Sequence, residues 1–208
     1  MARRMADERF RREQERGRYA AHVRPINEFI DSLRDSDGRG WLPHVAPFHG
    51  GVHARVLSVL RDPGPKTQDG SGSGFLCIEN DDPTAERQVE AFAAVGIQAS
   101  DITPWNAYPW YVNRAPTAAE RQAGVDPLVQ LIELLPQLRV VFLQGNDAKD
   151  GWRRVLVRHP TIERTRHITS VATYHPGRQA LWARDPTVRE MRIRHRLNAY
   201  QQVADAML

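Results

Sequence analysis

Short apolar runs at 55–60, 97–103, 140–144 and 168–172 alternate with stretches of helical pattern, and several stop abruptly at a proline or glycine turn. A run of four to seven residues is too short for a buried helix and suits a strand. Strands alternating with helices need crossovers, which makes the strands parallel. The chain is therefore expected to be α/β, a three-layer α/β/α sandwich around a mostly parallel central sheet. A further short run, Phe75-Leu76-Cys77-Ile78, follows the glycine-rich stretch 70–74.

Helix signals fill the intervals. Residues 6–36 carry a rough apolar stripe, which Pro25 can divide into two pieces. Asp82-Pro83-Thr84 opens a helix that Gly96 ends. Thr117 and Glu120 have the spacing of a capping box, and 127–135 continues helical. Further helices are expected over 146–158 and 186–207, whereas 35–51 reads as loop. The expected organisation is an N-terminal helical extension and loop, residues 1–50, packed on a domain spanning 51–208.

With 208 residues, 41% of them hydrophobic, the chain can bury one good core. No apolar stretch approaches the roughly 20 residues of a membrane span, and the N-terminus has no apolar signal region. A lone cysteine, Cys77, excludes a disulfide framework and a four-cysteine iron–sulfur or metal site. His159, His167 and His195 lack metal-ligand spacing, so no metal or cofactor is expected. The chain reads as a cytoplasmic monomer with no membrane segment.

Charge is segregated. Residues 152–196 hold eleven arginines against three acids, while 25–151 holds ten basic residues against seventeen acidic ones. A basic segment of this kind fits a polyanion partner such as DNA, although arginine-rich coding bias gives the same composition.

Polar residues stand at the ends of separate strands. Asp62 follows 55–60 in Arg61-Asp62-Pro63-Gly64, Asn106 follows Pro104-Trp105, and His175 lies in Tyr174-His175-Pro176-Gly177. In a parallel sheet such tips face one crevice. Each also has a structural reading alone: Asp before Pro-Gly forms turns, Asn closes Asx turns, and a single His is often structural.

Taken in order, these segments, the Phe75 run and Leu143-Gln144-Gly145-Asn146-Asp147-Ala148 resemble the uracil-DNA glycosylase superfamily. Asn113-Arg114-Ala115-Pro116-Thr117 resembles its iron–sulfur bacterial members, whose cysteines are missing here. The likeness covers about 54–200. It implies a monofunctional DNA glycosylase that flips a pyrimidine out of DNA and leaves an abasic site. Asp62 then activates water and stabilises the sugar cation, and His175 holds the base O2. Asn106 reads the base edge, compatible with uracil or cytosine. Phe75 stacks on the base, with Ile78 as a rival.

Gly64 stands where the uracil-specific branch has a tyrosine that blocks C5 substituents. The target is then uracil, in base-excision repair, or a C5-modified pyrimidine such as the modified cytosine of phage DNA, in anti-phage defence. Family members push a wedge into DNA from the turn after the histidine, which makes Arg178 and Leu181 the foremost candidates and Gln179 a third. Arg184, Arg189 and Arg192 then face phosphates, and Lys66 contacts DNA from the Asp62 loop. Lys66 and Lys149 are the only lysines and neither occupies a motif position, so Schiff-base lyase chemistry is not expected. The aromatics Trp105, Tyr108, Trp110 and Tyr111 either line the pocket or fill the core. A non-catalytic nucleic-acid-binding module on the same scaffold is the alternative.

Overall fold

The computed structural model describes residues 2–35 and 37–208. In chain order the elements are α1 (Glu8–Arg16), α2 (Arg24–Leu33), β1 (His44–Val45), β2 (Val56–Leu60), β3 (Phe75–Leu76), α3 (Pro83–Ala94) and β4 (Ile102–Asn106). They continue with α4 (Ala118–Ala123), α5 (Val125–Glu133), β5 (Val140–Gln144), α6 (Asn146–Arg158), α7 (Ile162–Arg166), β6 (Thr169–Thr173), α8 (Arg178–Leu181) and α9 (Pro186–Ala206).

Four strands form the central sheet in the order β4-β2-β5-β6, every pairing parallel. Strand alternation sends Leu57, Val59, Val141 and Leu143 to one face, against Ile26 and Ile30 of α2, Leu128 of α5 and Trp152 of α6. Val56, Ile102, Val140 and Phe142 face the other way, against Phe92 of α3 and Tyr200 and Val203 of α9. Helices on both faces make the expected α/β/α sandwich. The rings of Phe92, Phe142 and Tyr200 meet edge to face with centroids 4.8–5.9 Å apart.

Local signals account for most boundaries. Residues 6–36 do divide, and Pro25 sits in the first turn of α2, where its missing N–H costs nothing. Asp82 caps α3 by accepting from the Thr84 and Ala85 amides. The Thr117–Glu120 capping box forms in both directions at the start of α4.

The strand expected at 97–103 lies further on, at Ile102–Asn106. The Asp101 carboxylate takes the Gln98 amide and winds 99–101 into a 3-10 turn, so extension starts at Ile102. Pro104 is tolerated there because β4 is an edge strand, bonded only to β2. Within 35–51, read as loop, β1 pairs in parallel with β3, His44 opposite Phe75 and Val45 opposite Leu76. The residues expected to form an N-terminal extension share the main core: Val23, Ile26, Ile30, Leu42 and Val45 pack with Leu57 and Leu128. Among the described residues, no helix is long and apolar enough to cross a membrane.

Candidate functional site

Strand order reverses at β2, because the chain passes to β4 on one side and then to β5 and β6 on the other. Diverging crossovers open a crevice beyond the carboxyl ends of such strands. Here it encloses about 840 Å³ and receives the ends of all four strands of the sheet. Asp62, Gly64, Lys66, Asn106 and His175 all line it, though they come from segments far apart in sequence.

Asp62 follows β2 directly, and its side chain is only 4% exposed although it is paired with the Arg61 guanidinium. Burial raises its pKa above the usual carboxylate value of 3.8, with Asp147 adding to the rise, while Arg61 and Arg114 oppose it. Burial and the Arg61 charge lower the pKa of His175, against Asp82 and Asp147. Asp62 and His175 thus share Arg61 and Asp147 as electrostatic neighbours, which is consistent with their opening on one space.

The imidazole is held in a defined tautomer. The Gly177 N–H donates to His175 Nδ1 at 2.9 Å, so in the neutral ring the proton is on Nε2. Two glycines permit this fit. Gly145 has φ 103°, a conformation that side chains rarely adopt, and a Cβ there would press on the His175 Cβ at 3.3 Å. A Cβ on Gly177 would stand 2.8 Å from Nδ1 itself. Gly177→Ala is expected to displace the ring, which is checked by a shift of the His175 imidazole resonances in NMR spectra. Unaltered resonances in that variant would show that the close fit at Gly177 does not hold the ring.

Asn106 closes β4 and is 2% exposed, yet its Nδ2 has no hydrogen-bond partner among the described residues. A buried amide nitrogen without a partner is uncommon and calls for an explanation. Gly64 adopts ordinary extended geometry, and a Cβ built on it meets nothing within 4 Å. Lys66 Nζ lies 3.8 Å from Asp81 at the rim.

Phe75 does not line this space. Its ring is buried with Met5, Phe10, Ala46 and Cys77, behind the wall, while Ile78 three residues on does face the crevice. Of the aromatic cluster, Trp105, Tyr108 and Trp110 join the core, and Trp105 alone of these also reaches the crevice.

Arg178 lines an adjoining opening of about 430 Å³, which shares His175 with the main crevice. Leu181 and Arg184 line neither. Leu181 is partly buried, and the next residue, Trp182, carries the exposed indole, at 66%. Arg192 is folded inward: it donates to the Trp182 and Ala180 carbonyls and lies over the Tyr174 ring, bracing α8.

Sequence reasoning also assigned no role to Ser58, Gln88 and Gln144, buried polar residues of the crevice floor. Polar residues inside apolar strand ends, as in Val56–Leu60 and Val140–Gln144, were the available signal. No protein-family model matches this chain, and no curated protein matches it either.

Proposed function

We propose that the chain is a hydrolase that breaks the N-glycosidic bond of a pyrimidine extruded from nucleic acid. More particularly, it is a monofunctional DNA glycosylase of the uracil-DNA glycosylase superfamily that takes uracil or a C5-modified pyrimidine and works without a metal or iron–sulfur cluster. The reading rests on one observation. A buried carboxylate, an imidazole of fixed tautomer and an unpartnered amide, from three strand ends, line the same crevice.

Each group suits one part of the reaction. As the bond from sugar to base lengthens, positive charge grows on the sugar and negative charge on the base. The Asp62 carboxylate stabilises the first and orients the attacking water. The neutral His175 ring donates from Nε2 to an oxygen of the departing base, and no proton need be transferred in full. Asn106 takes the base edge, and Ile78 replaces Phe75 as the apolar surface beside it.

Arg178, which lines the adjoining opening, and the exposed Trp182, Arg184 and Arg189 that follow it in sequence are suited to contact bases and phosphates. Trp182, beside Leu181, is a further candidate for the wedge.

Duplex and single-stranded oligonucleotides carrying uracil, thymine mismatches and C5-modified cytosines, treated to cleave abasic sites, test the reading. Strand breaks at one of these bases are the expected result, and none at any base rejects it. Gly64→Tyr supplies a further check, since a Cβ at position 64 meets nothing within 4 Å. It is expected to leave activity on uracil within a few-fold while reducing that on C5-extended pyrimidines by about 100-fold or more. Equal loss on both would show that position 64 does not face C5.

A further inference from the structure

The crevice floor holds a chain of polar side chains that begins outside it. The Tyr200 hydroxyl, buried on α9, donates to Gln144 Oε1 at 2.9 Å. That contact turns Gln144 Nε2 the other way, where it donates to Ser58 Oγ at 2.8 Å and to Gln88 Oε1 at 3.1 Å. Gln88 is therefore held with its oxygen toward Gln144. Its Nε2 makes no hydrogen bond with the described residues, although Gln88 is only 4% exposed and lines the crevice.

The same four residues have a second arrangement in which both amides are rotated by half a turn. Gln144 would then donate to the phenol oxygen, and Gln88 would present its oxygen to the crevice. That state strands the Tyr200 O–H, whose hydrogen bond in the described structure goes to Gln144. A buried donor without an acceptor is costly, and burial keeps this phenol protonated by raising its pKa. The tyrosine thus selects one of two otherwise similar networks.

We infer that Gln88 is a specificity-determining residue whose amide N–H, held outward by Gln144 and Tyr200, requires an oxygen acceptor on the bound pyrimidine and so favours keto over amino bases. The inference rests on the proposed pyrimidine site and deepens it. Asn106 Nδ2 has no hydrogen-bond partner among the described residues, so no such bond fixes which way that amide faces. Gln88 cannot turn, and so removes the ambiguity. An amino group brought to Gln88 would set donor against donor. Tyr200, which does not line the crevice, is a positioning residue.

Binding of free uracil and free cytosine to the full chain, followed by ligand-observed NMR, tests this without requiring catalysis. The parent is expected to bind uracil about ten-fold or more tightly than cytosine. Gln88→Leu is expected to bring the ratio near one. Gln88→Glu, which offers an acceptor, is expected to reverse it. Tyr200→Phe is expected to gain cytosine binding, because the network can then turn over; a purely structural tyrosine would weaken both bases alike. Equal binding of the two bases by the parent, binding of neither, or an unchanged ratio in Gln88→Leu overturns the inference. Selective binding without base release from any oligonucleotide rejects the glycosylase reading alone. Release from uracil and cytosine substrates with equal recognition of both rejects only the role of Gln88.

Discussion

Asp62→Asn is expected to lower base release by about 10²–10⁴-fold while leaving DNA affinity nearly intact. The amide keeps the shape of the carboxylate and removes the charge that faces the sugar. The same variant is expected to be at least as stable as the parent near neutral pH. Burial raises the Asp62 pKa above its usual 3.8, so across that window the folded state binds more protons than the unfolded state. Stability from this group is then greatest when it is protonated and falls as pH rises through the folded pKa. Asparagine removes that fall. Arg61 loses its partner, but at 44% side-chain exposure it remains solvated. Thermal melts at pH 7 beside single-turnover rates check both halves. An Asp62→Asn protein that is markedly less stable, or that retains full turnover, contradicts a functional carboxylate.

His175→Ala is expected to cost about 10²–10³-fold in turnover, the loss that follows removal of one donor to a developing anion. The pH profile separates this role from a structural one. The proposed reaction needs Asp62 ionised, with its pKa raised from 3.8, and His175 neutral, with its pKa lowered from 6.5. Parental turnover should therefore rise with pH as Asp62 ionises above 3.8 and as His175 loses its proton below 6.5. Protonation of His175 places a hydrogen on Nδ1 and breaks its acceptance from Gly177, which adds to the acid limb. In His175→Ala the step due to the imidazole disappears and that due to Asp62 remains. A profile unchanged by the substitution rules out the neutral donor.

The fold was legible because its signals are local. Apolar runs of fixed length, the Asp82 cap and the Thr117–Glu120 box are each written within a few adjacent residues. The polar tips Asp62, Asn106 and His175 could be found because a strand end has only one place to go in a parallel sheet. What was missed depends on contacts between distant segments. The β1–β3 pairing joins residues about 30 apart through main-chain bonds that leave no side-chain pattern. Phe75 and Ile78 are equally apolar, and only packing against Met5 and Phe10 turns the first of them away. Leu181 and Trp182 are neighbours at the end of a short helix, where a small rotation decides which one meets solvent. Gln144 was quoted within a motif, but its role depends on Tyr200, 56 residues later.

The small β1–β3 ribbon carries a practical consequence. Its front strand comes from the leading third of the chain, while its rear strand continues into Cys77 and Ile78 on the crevice wall. The opening segment thus serves as a backing plate for the pocket, stiffened by Asn27, which donates to the Val45 carbonyl and accepts its amide. Trimming the protein ahead of residue 46 would expose the hidden side of that wall, so a shortened version has to keep its front end to preserve the crevice.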